Sequence, residues 1–472
     1  MRISPMEGHS HEEELLPEPS SWRRVEQRFN ANDHPADSHC TSIYRAPLDH
    51  ARHPLLVKRL SELLSPGSAN TSSITEFSSC VAIKLVSPQL NRPPHDTLTE
   101  IQTLSALDHP NIVPLLAHWE PPAHANYCLF LPLYPLSVWD LLNAQKEPFH
   151  PCSYGGGFEV LVRRIVRGIA AGLGYLHGRT LAHRDINPSN VALTDRGSPV
   201  LIDFGTVWPG HPSPESASLE FELGTMPYRA PELLFGSRSY SPFALDIWAF
   251  GTLIAEFYMP MERTEDPPSS PSPSPHPTPS APDDACPGTA IDWYSFGGAD
   301  FTALSPAAPT GPLLRKSLFE GACGDIGLVG SIFKIRGTPD STTWPEANRL
   351  PDFSKLNFHA FPKQDLKAHL PALSYTLKSL EEKMAGAGAE DALELEQRVE
   401  VERQEVEEKV LLIDSLLSYQ STARIDAFRA AFFPTPSQSS GPHSSWLGRS
   451  VQNEDQICKD ALDTFFSNES QR

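Results

Sequence analysis

Positive charge is scarce in this chain. Its 472 residues include 38 Lys and Arg against 58 Asp and Glu, a formal net charge of −20. That balance argues against nucleic acid and anionic membrane as main partners. Cysteine is also sparse. The seven, Cys40, Cys80, Cys128, Cys152, Cys286, Cys323 and Cys458, are scattered, without a Cys-x-x-Cys pair or metal-ligand spacing. Such a set reads as reduced thiols in an intracellular protein, with nucleus and cytoplasm both open. Long apolar runs are missing. The longest, SPFALDIWAFGTLIAEFYM, contains Asp246 and Glu256. It is too short and too charged to cross a bilayer and is expected to be a buried helix. The opening MRISPMEGHSHEEELLPEPS is polar and acidic, unlike a secretory signal. Neither a clear basic cluster nor a repeat of fixed period is present.

Proline is the excess. The chain has 47, about twice ordinary usage, so the core must be built from less than the whole length. Residues 1–25 read as a disordered acidic lead. Residues 26–135 are expected to be β-rich, with an extra insertion at 47–79. Within it PLLVKRLSELL, residues 54–64, has helical spacing. SCVAIKLV, NIVPLLAHWE and NYCLFLPLY read as strands. HDTLTEIQTLSALD reads as a helix burying Leu98, Ile101, Leu104 and Leu107. From about residue 136 the chain turns helical. A Pro/Ser-rich insertion at 262–312 reads as disordered. It carries Ser270-Pro271, Ser272-Pro273, Ser274-Pro275 and Thr278-Pro279, which fit proline-directed phosphorylation or a plain loop. A charged stretch at 372–409 reads as a solvated helical excursion, and 436–472 as a tail.

Four motifs then occur in a fixed order. VAIK places Lys84 on a strand, and Glu100 follows on the next helix. HRDINPSN gives Asp185 and Asn190. DFG gives Asp203, Phe204 and Gly205, and APE ends at Glu232. In this order the sequence resembles the eukaryotic protein kinases. The resemblance implies an α+β fold of two lobes, a small β-rich one and a larger helical one. It also implies ATP and Mg²⁺ as cofactors and a protein Ser or Thr hydroxyl as acceptor. Phosphoryl transfer asks a protein chiefly to position groups and neutralise charge. By the resemblance, Lys84 holds the α/β-phosphates and Glu100 orients Lys84. Asn190 and Asp203 are the oxygen ligands of Mg²⁺. Asp185 is the catalytic base. Ile43, Ala82, Leu131, Pro132, Tyr134 and Ala192 surround the adenine, with Leu131 as gatekeeper and Tyr134 as an N–H donor. His183 and Phe204, with Leu104 and Leu115, form an apolar stack between the lobes. Asp246 anchors the catalytic-loop backbone, and Glu232 pairs with Arg424.

GTMPYRAPELLFG and IFKIRGTPDSTTWPEANRLPDF resemble the cyclin-dependent-kinase side of the CMGC group. Thr225 and Pro188 favour Ser/Thr over Tyr as acceptor. Where activated members carry a phosphothreonine opposite Arg184, this chain has Glu220, with Glu222 beside it; either Glu220 stands in part for the phosphate, or the two are solvated acids on a loop. Two parts of the family pattern are absent. No Gly-x-Gly-x-x-Gly precedes Lys84; the glycine positions fall on Ala36, Ser38 and Thr41. Asn187 replaces a Lys that steadies the transferred group. One lost donor of that kind costs roughly 3–4 kcal/mol, out of about 8–23 kcal/mol that enzymes supply. Slow transfer is therefore expected. A Gly-poor loop on such a core is similar to the monomeric fungal kinases that activate cyclin-dependent kinases. A need for a cyclin stays open, and the alternative reading is a pseudokinase scaffold.

Overall fold

The computed structural model describes residues 16–25, 41–64, 79–87, 92–119, 126–210, 219–263, 311–387, 389–433, 444–449 and 451–469. Ala36, Ser38, the GHSHEEE run and the Ser-Pro sites lie outside them. So does most of the 262–312 insertion.

Five antiparallel strands form the first lobe in the order β1-β2-β3-β5-β4. They are β1 (Arg23–Arg24), β2 (Thr41–Pro47), β3 (Cys80–Val86), β4 (Ala117–Trp119) and β5 (Tyr127–Pro132). The strand alternation sends Val81, Ile83, Cys128 and Phe130 to one face. The insertion helix α1 (Pro54–Leu64) lays Leu56 and Leu60 into that same cluster, and Arg59 donates to the Leu116 carbonyl at 2.6 Å. The opposite sheet face carries Ala82, Lys84, Leu129 and Leu131. It meets α2 (Thr97–Ser105), whose N-terminus is capped by Asp96 accepting from Thr99 N at 3.1 Å.

Several sequence expectations need correction here. The lead is not wholly disordered. Leu16 is buried, Trp22 packs against Tyr44 and Phe130, and Arg23–Arg24 pair with β2. Apolar side chains in an otherwise acidic stretch close the open sheet face. Leu98 is exposed, because the buried side of α2 runs through Thr97, Glu100, Ile101 and Leu104. That rotation aims Glu100 inward. NIVPLLAHWE supplies only the three-residue strand β4. Pro114 interrupts the ladder, and Ile112 instead bridges to Leu201.

The second lobe is helical. β6 (Leu136–Ser137), β7 (Val191–Leu193) and β8 (Pro199–Leu201) make a small sheet beneath the first lobe. Around it stand α3 (Val138–Leu142), α4 (Pro151–Tyr154), α5 (Gly156–Gly178), α6 (Pro231–Leu234) and α7 (Pro242–Glu256). The apolar run expected to be buried is α7, inside the core along nearly its whole length. Strands β9 (Met261–Arg263) and β10 (Leu313–Arg315) pair antiparallel at the base of the Pro/Ser-rich insertion. The long α8 (Gly324–Arg336) follows, and then the short α9 (Leu366–His369).

The charged excursion folds as an antiparallel pair, α10 (Tyr375–Ala385) and α11 (Ala389–Leu416). It is not simply solvated. Val406, Leu412, Ile413 and Leu416 of α11 are buried in the main core, while Leu393 is 65% exposed. The apolar side chains concentrate in the C-terminal half, and that half is held. After α12 (Ser421–Phe432), the tail also folds back. Its α13 (Ser444–Gly448) and α14 (Glu454–Glu469) bury Trp446, Cys458 and Leu462, with α14 lying along α5. Arg164 fixes α14 through Glu454 at 3.2 Å and Asp455 at 2.7 Å. No described helix is long and apolar enough to cross a membrane.

Candidate active site

The site lies where the two lobes meet. Lys84 projects from β3 and is almost fully buried. Its Nζ donates to Glu100 Oε1 at 2.7 Å and Oε2 at 2.8 Å, and to Asp203 Oδ1 at 2.7 Å. One ammonium thus serves two carboxylates. Burial disfavours the charged form of Lys84, but the Asp203 and Glu100 charges outweigh it and hold its pKa above the ordinary value. Desolvation also opposes ionisation of Asp203, and Lys84 overcomes it, keeping this carboxyl well below the usual range. Burial pushes the Glu100 carboxyl up, partly offset by Lys84. Glu100 Oε1 additionally accepts from Phe204 N at 3.1 Å, so α2, β3 and the DFG turn form one unit.

Within the site two non-glycine residues adopt left-handed backbone, Arg184 at φ 67° and Asp203 at φ 62°. Such conformations persist only where the surroundings enforce them. At Arg184 the enforcement comes from Asp246, fully buried on α7. It accepts from His183 N at 2.9 Å, Arg184 N at 2.7 Å and the His177 ring at 2.9 Å. The segment after DFG is laced to the same loop. Thr206 Oγ1 donates to the His183 carbonyl at 3.0 Å, Arg184 Nε donates to the Thr206 carbonyl at 2.7 Å, and Ala182 bridges Trp208. The His183 ring packs on Phe204 with centroids 4.8 Å apart, and Leu104, Leu115 and Phe204 join one core cluster.

Asp185 is surrounded by donors. Asn190 Nδ2 donates to its Oδ2 at 2.8 Å. Thr225 donates to its Oδ1 from N at 2.9 Å and from Oγ1 at 2.8 Å. Asn187 Nδ2 reaches Oδ1 at 3.1 Å and Thr225 Oγ1 at 2.9 Å. With the Asn190 amide nitrogen turned to Asp185, its carbonyl oxygen is left as a donor for a hard cation. The half-exposed Asp203 carboxylate has one oxygen on Lys84 and a second for the same purpose. The donor set therefore fits Mg²⁺.

Strand register places the expected adenine residues. Ile43 stands opposite Lys84, and Ala82 stands opposite Leu131, all on the face that carries Lys84. Pro132 ends β5 opposite Val81, and Tyr134 follows in the connection to β6, its hydroxyl pushed up by burial. Ala192 is buried on β7 opposite Ser137. Thr41 opens β2 opposite Val86. At the far end of the second lobe, Arg424 Nη2 donates to both Glu232 oxygens at 2.9 Å.

The ordered ion pair, DFG turn and donor-ringed Asp decide the family, and the comparisons agree. The protein kinase domain family model matches residues 67–268. The chain carries a protein kinase domain. It is similar to the serine/threonine-protein kinase csk1 of Schizosaccharomyces pombe, 26% identical over 301 residues, 63% of this chain and 77% of that protein. It is 27% identical over 277 residues to cyclin-dependent kinase F-3 of Oryza sativa subsp. japonica, 58% of this chain and 47% of that one. To the probable CTD kinase subunit alpha homolog of Encephalitozoon cuniculi it is 30% identical over 178 residues, 38% of this chain and 50% of that one. The chain thus spans about half the length of these last two relatives. A crystal structure of the yeast RNA Pol II CTD kinase CTDK-1 complex aligns over 90% of this chain and 95% of its own, at 16% identity and TM-score 0.49. This kinase is a serine/threonine protein kinase of the cyclin-dependent-kinase-like type.

At its activation segment the kinase favours the second of the two readings of Glu220, a solvated acid on a loop. Glu220 does not reach Arg184. Its carboxylate lies 3.8 Å from Arg238, with both side chains about half exposed. Three neighbours of the catalytic loop and this segment carry no motif of their own: Thr206 on Arg184, His177 on Asp246 and Tyr240 on the Glu220 carbonyl. They lie close to the motifs in the chain, Thr206 directly after DFG, but their contacts are set only by folding.

Proposed function

We propose that this kinase transfers the γ-phosphate of Mg-ATP to a Ser or Thr hydroxyl of a protein, and that the protein is a cyclin-dependent kinase. The observation that carries the transfer reading is the single Lys84 ammonium bound to both Glu100 and Asp203, with Asp185 held by Asn190 and Thr225 beside it.

Bound Mg²⁺ would supply charge neutralisation at the phosphates. Asn190 and Asp203 are the residues that would hold it, and Lys84 would bind phosphate oxygens. Ala82, Leu131, Ile43 and Ala192 offer apolar surface for the base, with the Pro132 carbonyl and Tyr134 N–H as polar contacts. Asp185 would receive the proton of the attacking hydroxyl. Thr225 and Asn187 fix its carboxylate so that no reorientation is needed during the reaction. Support for a cyclin-dependent kinase as substrate comes from the Gly-poor loop and the activation segment, which resemble those of the fungal activating kinases.

The test is transfer of radiolabelled phosphate from ATP to an unphosphorylated cyclin-dependent kinase and to casein, comparing the parent with Asp203→Ala. Labelling of an activation-segment Thr by the parent alone supports the proposal. Labelling of casein only sinks the substrate reading, and parity with Asp203→Ala sinks the transfer reading.

A further inference from the structure

The two residues read as Mg²⁺ ligands stand at the two ends of one hairpin. Asn190 directly precedes β7, and Asp203 follows β8 with one residue between. Ile202 N donates to the Asn190 carbonyl at 3.0 Å, which closes the base of the hairpin. The ladder itself is short. β7 and β8 pair over three residues each, and β6 adds two. A sheet this small does not hold its own shape and depends on what packs against it.

At the far end the turn 194–198 is held by α5 and α14. Arg164 on α5 uses all three of its guanidinium nitrogens. Nη1 donates to the Arg196 carbonyl in the turn at 3.1 Å. Nε and Nη2 donate to Glu454 and Asp455 in the first turn of α14, at 3.2 Å and 2.7 Å. Asp455 is largely exposed, so the hold rests mainly on Glu454 and the carbonyl. Apolar contact runs beside it. Gly197, at φ 74°, brings the turn close enough that a methyl group on it would lie 3.6 Å from Cys458 Cβ and 3.7 Å from Leu462 Cδ1 of α14. Cys458 and Leu462 are fully buried there. The tail helix is thus seated on the turn as well as along α5.

We propose that Arg164 is a positioning residue: through it α14 holds the β7–β8 turn and thereby fixes Asn190 and Asp203 relative to each other. The inference rests on the reading of these two as Mg²⁺ ligands. Mg²⁺ demands near-ideal octahedral geometry, so a hairpin free to twist binds it more weakly.

The experiment uses the full chain and two variants, Arg164→Gln and the tail-side double change Glu454→Gln, Asp455→Asn. The second keeps side-chain shape and leaves Arg164 in place, and it decides if the first does not fold. Three readings are taken without phosphate transfer. Amide hydrogen exchange over residues 191–202 should be about tenfold faster in both variants, the effect of one charge-assisted hydrogen bond. Alkylation of Cys458 by iodoacetamide, followed by peptide mass and scaled to exposed Cys152, should speed up by a similar factor. The Mg²⁺ concentration for half-maximal binding of a fluorescent ATP analogue should rise about fivefold, with metal-free binding unchanged, a smaller effect than removing a group bonded directly to a ligand. A residue that only stabilised the tail would speed exchange and alkylation and leave the Mg²⁺ midpoint where it is, which overturns the positioning role. Exchange equal to the parent's in both variants overturns it as well. A parent that binds the analogue equally with and without Mg²⁺ sinks the metal-ligand reading and the inference with it, an outcome distinct from the other two.

Discussion

The amide nitrogen of Asn187 donates to the carboxylate of Asp185 at 3.1 Å. The same nitrogen donates to Thr225, while its oxygen accepts from Ser189 N at 2.9 Å and Asn190 N at 3.2 Å. Asn187 therefore keeps the contacts a donor at this position must make, and caps the turn that presents Asn190. What is missing relative to Lys is the charge. Asn187→Ala should lower kcat by about tenfold and stability by about 1 kcal/mol, as a lost cap does. Asn187→Lys should raise kcat at a similar loss of stability. Steady-state kinetics beside urea unfolding separate the two effects, and a Lys variant with no gain in kcat would mean the charge is supplied elsewhere.

Arg424 and Glu232 form a buried pair in which Nη2 alone donates to both carboxylate oxygens, while Arg424 Nη1 donates to the Ala244 carbonyl at 2.9 Å. Removing one partner strands the other charge. Arg424→Ala should cost about 3–5 kcal/mol in urea unfolding. The double change Arg424→Met, Glu232→Gln should cost less than the two single changes added together.

Glu256 on α7 is buried and accepts the Tyr228 hydroxyl. Burial raises its carboxyl from the ordinary 4.5 to about 8, against the pull of Tyr228 and Arg315. Between those values the folded chain holds a proton that the unfolded chain releases. Stability from this group is therefore full below about pH 4.5 and falls as pH rises toward 8. Glu256→Gln keeps the acceptor and removes the titration. Its unfolding free energy should match the parent's near pH 5 and exceed it near pH 8 by on the order of a few kcal/mol, read by urea unfolding at the two pH values. Parallel pH profiles for the two proteins would show that Glu256 does not titrate in this range.

Leu60 of the insertion helix has no exposed surface and joins the sheet residues Val81, Ile83 and Phe130. If α1 is part of the first lobe's core, Leu60→Ala should cost about 2–5 kcal/mol. Exposed Leu63 on the same helix serves as control, and its Ala variant should be nearly neutral in the same unfolding measurement.

By itself the sequence determined the kinase fold, the lobe order and the residues Lys84, Glu100, Asp185, Asn190 and Asp203. These are constrained by local spacing and by chemistry that allows few substitutes. It also marked the α1 helix and the buried α7, through periodicity and apolar content. Only the tertiary structure decided which face of α2 is buried, because Glu100 turns inward to Lys84 and leaves Leu98 outside. Only it showed that the lead and tail are packed, since a few apolar side chains such as Leu16 and Trp446 gain burial from partners far along the chain. The partner of Arg184 follows the same rule. Charge matching pointed to Glu220, but a carboxylate in solvent gains little from that approach. The fold instead gives the Arg184 guanidinium the Thr206 carbonyl, at 2.7 Å.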